Sequence, residues 1–478
     1  MRYKVKNNSR SARKNVVVSI RKRIGLDTNN SALLSRDPQT RVKHEILAKY
    51  LDSWGGIIVH PLRKKLQRDW HFIYIDCFAY TGRYLGESED TIQHIETQTV
   101  FGSPVIGINA LDKLADYALN NGIRIRTNSI LIERNLENFQ ELQNTLSIKS
   151  LNHRVRVTTN FSSLADREIA VVNADCLTLL DNLLGYTTKD FTWSFYLLDP
   201  HGPSGIPHDF VQPIVQQKHH DVMINFMYED FIRKAGMAIK NGLKSQHQKL
   251  VDNWTAVFNN DKWQEIVRET TSEIQAHRYW RDYVLEGIPL DDMEEGSLLT
   301  DKQLAEIKER KFVDLYEDVL REMDPKLVIK LIPIKFPSRE QTMFYLFLTT
   351  HDPTGALTMN EVLYKAKYRE HDLRQRYIVA KKSAPPDHQL PLFIYKPEIP
   401  KSSSPSRNVK VEDLADLIFL KFTGRTVTRR EVYRQMVETY FFPNEIDNAL
   451  KHLKITSKAT FRGNLVHETI IEFADLSI

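Results

Sequence analysis

The chain has little cysteine and no long apolar run. Its 478 residues include two cysteines, Cys77 and Cys176, which excludes a structural zinc site or a disulfide framework and fits a reducing compartment. No stretch approaches the ~20 apolar residues that a membrane span needs. No charged start precedes an apolar core and a small-residue cleavage site, as it would in a secretory signal. These absences predict a cytoplasmic protein with no membrane partner.

Several enzyme motifs are missing too. The chain contains no Walker lysine loop, no H-E-x-x-H, no G-x-S-x-G and no protein-kinase set,. His219 and His220 have no third ligand at metal spacing, so no metal site is predicted. The glycine spacing of dinucleotide-binding turns, G-x-G-x-x-G, is also absent, which disfavours a loop that cradles phosphates.

Positive charge is concentrated at the start of the chain. Residues 1–23 contain nine Lys or Arg and no acid, whereas the net charge of the whole chain is +5, so the remainder is slightly acidic. A basic N-terminal arm, residues 1–40, is therefore predicted to contact phosphates. A solvated arm that aids solubility is the alternative.

The main positive signal is a strand followed by an acid, repeated four times. The acids are Asp76 after 72–75, Glu133 after 129–132, Asp175 after 169–173 and Asp199 after 195–198. The carboxyl ends of parallel strands meet at one sheet edge, where open α/β sheets bind ligands. The pattern predicts an α/β fold with a Rossmann-like sheet and a nucleotide-type pocket.

The turn after the first strand favours S-adenosylmethionine as cofactor. Its small residues let a ligand approach the backbone, and a ligand without pyrophosphate needs fewer glycines than a dinucleotide. Glu133 is placed to hydrogen-bond ribose hydroxyls, and Asp175 with Cys176 would lie near adenine. Loop capping is the alternative role of these acids. The predicted cofactor-binding residues are Asp76, Phe78, Ala79, Gly82, Glu133, Asp175 and Cys176.

The predicted catalytic residues are Asp199, Pro200 and His201, in a rigid loop after the fourth strand,. Enzymes that methylate amino groups present acceptors to the amine from an Asp/Asn-Pro-Pro-aromatic segment. Asp199 could accept from an exocyclic amine, and His201 could stack or move a proton. Gly202 stands where the aromatic residue would be, and a solvated turn is the alternative. Asn225 either lines the same cleft or has a core role.

Other patterns outline the domains. A methyltransferase-like α/β domain spans 41–382. It begins with an amphipathic helix over 41–54 that Gly55-Gly56 should stop, and a helix follows at about 104–120. A helical insertion at about 228–325 precedes an antiparallel hairpin, 327–336 and 342–350, at one sheet edge. The proline- and serine-rich segment 383–408 is a linker,.

The last part of the chain, 409–478, has three helical patterns and a terminal hairpin, which suggests a winged helix. Its basic residues Arg429, Arg430, Lys451 and Lys454 are predicted to bind nucleic acid,. Acidic residues offset much of this charge, so a protein-binding or oligomerising module is the alternative.

A set of motifs resembles the three-Cys-motif partner protein family (TcmP). The motifs are 43–47 (KHEIL), 76–79 (DCFA), 102–104 (GSP), 199–202 (DPHG) and 224–226 (INF). The resemblance implies a class I methyltransferase fold, similar to adenine-N6 methyltransferases of ribosomal RNA. It also implies a radical-SAM-like protein with three cysteines as partner. Tyr80 stands where this family usually has a second glycine.

Three functions fit these observations. The leading one is S-adenosylmethionine-dependent methylation of the amino group of a nucleic-acid base. A second is a non-catalytic partner or scaffold subunit of a radical-SAM-like or defence complex. A third is a metal-dependent nuclease in which the four strand-end acids gather magnesium.

Overall fold

A large, mostly parallel sheet organises the first part of the molecule. The structure, a computed structural model, describes residues 33, 36, 38–62, 69–84, 100–200, 205–228, 231–232, 234, 245–269, 301–335, 342–365, 409–439 and 441–475. Most of the predicted basic arm, the whole linker 383–408, and parts of the helical insertion lie outside the described residues.

The strands of this part run, in chain order, β1 (Trp70–Asp76), β2 (Arg83–Tyr84), β3 (Val100–Phe101), β4 (Ile125–Ile132), β5 (Val155–Val157), β6 (Ile169–Val172), β7 (Thr192–Leu198), β8 (His220–Phe226), β9 (Val328–Lys335) and β10 (Thr342–Thr350). The eight-stranded sheet has the order β5-β6-β4-β1-β7-β8-β10-β9. Its first six strands pair in parallel, and β10 pairs antiparallel with both β8 and β9. The predicted Rossmann-like sheet and the edge hairpin are therefore confirmed.

Helices cover both faces of this sheet. They are α1 (Pro38–Leu62), α2 (Ser103–Asn120), α3 (Leu136–Ile148), α4 (Leu180–Thr187), α5 (His208–Val215), α6 (Ser245–Phe258), α7 (Lys262–Arg268), α8 (Asp301–Met323) and α9 (353–365). Side chains alternate along each strand, as in β1, where Phe72 and Tyr74 face one layer and Ile73 and Ile75 the other,. The first layer contains α1, α2, α3 and α9, and the second contains α4 to α8. Both faces being buried explains why the strands read as continuous apolar runs.

The predicted stop of the first helix at Gly55-Gly56 is wrong. Helix α1 continues through both glycines to Leu62. A Cβ atom on Gly55 would lie 2.6 Å from Leu114 Cδ1 of α2, so glycine here permits the two helices to approach closely,. The glycine pair therefore serves helix packing instead of helix termination.

A second glycine sets the distance between α2 and the sheet. A Cβ on Gly107 would lie 2.1 Å from Cε1 of Tyr74, whose ring is fully buried on β1. Only a residue without a side chain leaves room for this ring.

We expect Gly107→Ala to lower the thermal unfolding midpoint, because overpacking a core typically costs about 1–3 kcal/mol. Gly56→Ala is the matched control: a Cβ at Gly56 meets nothing within 4 Å, and alanine stabilises a helix interior by roughly 0.5–1 kcal/mol relative to glycine. Equal midpoints for the two variants in differential scanning calorimetry would contradict this account.

The last part of the chain forms a smaller unit of three helices and a three-stranded antiparallel sheet. Its elements are α10 (Val411–Phe422), β11 (Thr426–Thr428), α11 (Arg429–Met436), α12 (Pro443–Ile455), β12 (Ala459–Thr460) and β13 (Ile470–Phe473). The sheet order is β11-β13-β12. The sequence predicted the three helices and the terminal strands, and it missed β11.

This C-terminal unit packs directly on the β9 side of the large sheet. Val328, Ala356 and Leu357 belong to its apolar core. The buried Lys330 of β9 donates hydrogen bonds from Nζ to the carbonyls of Val437 (3.0 Å) and Thr439 (3.3 Å), just beyond the end of α11. A cation suits this position, since the end of a helix carries partial negative charge. Burial lowers the pKa of Lys330 to about 8.

Lys330→Met should weaken this docking. It leaves carbonyls at the end of α11 without their charged donor, a loss worth about 1–3 kcal/mol for a buried acceptor. Limited proteolysis should then cleave the C-terminal unit faster than in the parent protein. Lys326→Met, at an exposed position of the same segment, is the control. Cleavage rates that match between the two variants would show that the Lys330 contact does not hold the unit in place.

Candidate functional site

A cleft of about 240 Å³ opens at the carboxyl ends of β1, β7 and β8. Its walls are the turn after β1, the start of α2, the residues after β7, one face of α1 and the start of β10. The lining includes Lys43, Phe78, Ala79, Tyr80, Gly82, Tyr84, Ser103, Asp199, Pro200, Asn225 and Phe344. The strand order reverses between β1 and β7, and such switch points are where open α/β sheets bind ligands.

Asp76 ends β1 behind this cleft and is completely buried. Its carboxylate accepts hydrogen bonds from the Tyr74 hydroxyl and the Phe78 amide, both at 3.2 Å. Burial, together with the nearby Asp199 carboxylate, raises the pKa of Asp76 to about 7, although hydrogen bonds from Ser103, Phe78 and Tyr74 oppose the shift. Asp76 therefore exchanges its proton near neutral pH.

The turn after β1 has its backbone amides satisfied inside the protein. The amide of Cys77 donates to the carbonyl of Leu197 (3.1 Å), that of Ala79 to Ile132 (2.9 Å), and that of Tyr80 to Glu133 Oε2 (2.9 Å). The Phe78 amide is committed to Asp76. No row of amides from 77 to 80 is available to a phosphate, in agreement with the missing glycine motif.

Tyr80 has the left-handed backbone conformation, with φ = 50°. A tyrosine is costly there, since this region favours glycine. The hydrogen bond from its amide to Glu133 holds the turn, and the other Glu133 oxygen accepts from the Asn135 amide at 2.7 Å. Gly82 is also left-handed (φ = 70°), and a Cβ there would approach Leu142 to 2.8 Å. The cleft wall thus contains one strained residue, Tyr80, and one position, Gly82, that requires glycine.

Asp199 stands at the opposite wall, where Lys43 and Asn225 hold its carboxylate. Its Oδ2 atom accepts from Lys43 Nζ of α1 at 2.5 Å, and Oδ1 accepts from Asn225 Nδ2 of β8 at 2.6 Å. The side chains of Lys43 and Asp199 are 12% and 16% exposed, so the pair is shielded from screening,. The Lys43 ammonium also lies 5.8 Å from the centre of the Phe344 ring.

The structure brings together part of the predicted cofactor and catalytic set. Phe78, Ala79, Gly82, Asp199 and Pro200 line the cleft, and Asp76 lies just behind it. Glu133 contacts the turn from outside the cleft. His201 lies outside the described residues.

Two other predicted residues have local partners. Asp175 accepts from the Leu177 amide (3.1 Å) and pairs with Arg134 (3.1 Å). Cys176 is buried in the core and interacts with Cys77, and burial raises the pKa of the Cys77 thiol. Neither Asp175 nor Cys176 lines the cleft.

The predicted nucleic-acid residues divide into two pairs. Arg429 donates to both carboxylate oxygens of Asp447 at 2.8 Å, and Arg430 donates to the His351 carbonyl at 3.1 Å. These two guanidinium groups are engaged inside the protein. Lys451 and Lys454 on α12 are exposed, and the Lys454 ammonium lies 4.5 Å from the centre of the Phe461 ring.

Sequence reasoning gave no role to Lys43, although it completes the site. The sequence does contain a pattern that points to a role for Lys43. At helical spacing, position 43 shares a face with the buried Ile46, Leu47 and Tyr50,. A lysine on the apolar face of an amphipathic helix needs a buried partner. The partner, Asp199, is 156 residues away in the chain, so the sequence alone did not indicate it.

Two general features complete the description. Within the described ranges, no three His, Cys, Asp or Glu side chains converge as a metal-binding group. No helix in that same part of the chain combines the length and the apolar content needed to cross a membrane.

Comparisons with known proteins identify no family. No family model matches the chain, and no curated protein does. A Legionella pneumophila protein described by the family model DUF519 aligns at a TM-score of 0.32 with 10% identity, covering 67% of this chain and 86% of that one. A candidate sarcosine dimethylglycine methyltransferase from Galdieria sulphuraria aligns at 0.19 with 9% identity, covering 63% and 84%. Scores this low do not establish a shared fold, and the TcmP resemblance stays a prediction.

The raised pKa of Asp76 predicts a pH-dependent stability. Between about pH 4 and pH 7 the folded protein keeps a proton on Asp76 that the unfolded chain has lost, so this residue destabilises the fold increasingly as pH rises,. Asp76→Asn cannot ionise. Its thermal midpoint, relative to the parent, should therefore rise from pH 5 to pH 8.

The control for this comparison is Asp69→Asn, since the Asp69 side chain is 83% exposed. Its midpoint should differ from that of the parent by a small amount that does not change with pH. A difference for Asp76→Asn that is flat across the same range would show that Asp76 is ionised throughout.

Proposed function

We propose that this chain is a class I methyltransferase that uses S-adenosylmethionine to methylate an amino group of a nucleic-acid base. The observation that carries the proposal is the strand order β6-β4-β1-β7-β8-β10-β9 with β10 antiparallel, which is typical of class I methyltransferases. The cleft at the ends of β1 and β7 supports it, because ligands of such sheets bind at the switch point.

The residues present fit this cofactor better than a nucleotide with phosphates. The turn amides are committed to protein acceptors. Two carboxyl groups, Asp76 and Asp199, lie at the cleft with one ammonium, Lys43, which already pairs with Asp199, so the carboxyl group of Asp76 is left to face the cofactor. Carboxylates complement a sulfonium and an amino group, whereas they repel phosphate. Glu133 does not line the cleft but adjoins its wall at Tyr80, and each of its carboxylate oxygens keeps a second lone pair for a ribose hydroxyl placed at that edge,. When bound, the cofactor would supply an electrophilic methyl group.

Asp199 would act on the acceptor. A carboxylate in a largely water-excluded cleft orients an amino group by accepting its hydrogen, and it can take up the proton that the nitrogen loses on methylation. Pro200 restricts the backbone that follows,. Asp199 is thus assigned the role of acceptor-orienting residue, with His201 as its predicted neighbour.

We also propose that the C-terminal unit is a winged helix that contacts nucleic acid through α12. The order of three helices and a three-stranded antiparallel sheet supports this assignment. Lys451 and Lys454 are exposed on α12, the third helix, which is the recognition element of such modules,. The basic arm, residues 1–40, would add contacts to phosphates.

The second candidate function is a non-catalytic partner subunit, as for a three-cysteine radical-SAM-like protein or a defence complex. The Lys43–Asp199 ion pair favours it, because a carboxylate that already has a cation 2.5 Å away gains less from an incoming amine. The nuclease hypothesis requires four acids to converge, yet Glu133 and Asp175 hydrogen-bond to local backbone amides.

Calorimetric titration of the full chain with S-adenosylmethionine and S-adenosylhomocysteine tests the proposal. We expect the parent protein to bind both. We expect Asp199→Asn to retain binding and to lose transfer of a labelled methyl group to total RNA or DNA by 10²–10⁴-fold, the range for a lost general base.

The control variant is Asp209→Asn on α5, whose side chain is 96% exposed; it should transfer at the parent rate. Failure of the parent protein to bind either ligand would overturn the methyltransferase proposal and leave the partner-subunit function as the better one.

A further inference from the structure

Asn225 carries a buried acceptor that has no partner among the described residues. This side chain at the end of β8 is 4% exposed, and its Nδ2 donates to Asp199 Oδ1 (2.6 Å) and lies 3.3 Å from the sulfur of Met227. Its Oδ1 atom is buried and makes no hydrogen bond to any residue that the structure describes. The orientation of the amide is dictated by chemistry, since the carboxylate can only accept and so must face the NH₂ group.

An unsatisfied acceptor of this kind is rare in folded proteins, because burying it costs free energy unless a donor arrives. Asn225 is part of the cleft lining and is bonded to Asp199. A ligand that brings an N–H group to Asp199 would therefore also come close to Asn225 Oδ1, which has no donor in the described part of the chain.

The cleft already holds an N–H group of the protein. The Lys43 ammonium sits on Asp199 Oδ2 at 2.5 Å, and Phe344 flanks it. An ammonium presents several N–H donors from one nitrogen, as an amino group does. Lys43 thus occupies the place at Asp199 that an incoming amino nitrogen would take.

We infer that Asp199 and Asn225 form a binding site for a primary amino group, here called the seat. The Lys43 ammonium occupies the seat in the absence of substrate, and the amino group of the substrate displaces it. This inference rests on the proposed function and specifies its acceptor. One hydrogen of the NH₂ group would go to Asp199 and the other to Asn225 Oδ1. Adenine and cytosine carry such a group. Hypoxanthine and uracil carry a carbonyl oxygen there, which would face two acceptors and be rejected.

Base titrations with the full-length protein, saturated with S-adenosylhomocysteine, test the seat. The probes are two pairs: 9-methyladenine with 9-methylhypoxanthine, and 1-methylcytosine with 1-methyluracil. We expect the amino-bearing base of at least one pair to bind tenfold or more tightly than its carbonyl counterpart. In Asn225→Leu this ratio should fall below threefold, and in Lys43→Met the amino-bearing base should bind more tightly than in the parent.

Asn182→Leu, at an exposed position of α4, is the control and should keep the parent ratio. A preference that persists in Asn225→Leu, weaker amine binding in Lys43→Met, or no preference in the parent would each overturn the seat. If S-adenosylhomocysteine itself does not bind, the proposed function fails separately. In that case the same base titrations, carried out without S-adenosylhomocysteine, test the seat by the same ratios of affinity between the amino-bearing and carbonyl-bearing bases. Lys43→Met keeps the test decisive should Asn225→Leu not fold.

Discussion

The carboxyl group of Asp76 lies in the interior at the end of the central strand, where it needs hydrogen bonds because burying a charge without them costs several kcal/mol,. The Tyr74 hydroxyl and the Phe78 amide provide them. Each donor then constrains the chain around it. The Tyr74 ring requires a glycine at 107 on the helix above, and the Phe78 amide fixes the turn that forms one wall of the cleft. The site and the packing of the first helical layer therefore depend on the same buried group.

A second, partly buried carboxylate faces the first across the cleft, and the first helix offsets the resulting repulsion. Asp199 raises the pKa of Asp76, whereas Lys43 of α1 places a positive charge directly on Asp199. Helix α1 is thus part of the site as well as of the core. Helix α1 continues past Gly55 and packs on α2 there. This packing fixes the position of Lys43 beside Asp199, which lies 156 residues later in the chain.

The C-terminal unit is built into the molecule through buried polar contacts. Lys330 and Asn360 donate to carbonyls around the end of α11, and Arg430 donates to His351 in the other direction. Such contacts define one docking geometry, since each leaves a buried polar group unsatisfied if broken. Arg430 is engaged in this docking, and Arg429 pairs with Asp447 within the unit, whereas Lys451 and Lys454 on α12 remain exposed.

The sequence by itself determined the parallel strands, the edge hairpin and the strand-end positions of Asp76 and Asp199, because alternation and apolar runs report burial within a few residues. Only the tertiary structure decided which side chains meet. It continued α1 through Gly55, where packing against Leu114 outweighed the local signal for a stop. It likewise paired Arg429 with Asp447 and Lys43 with Asp199. Local periodicity states which face of an element is buried, whereas these pairings depend on how distant elements approach one another in space.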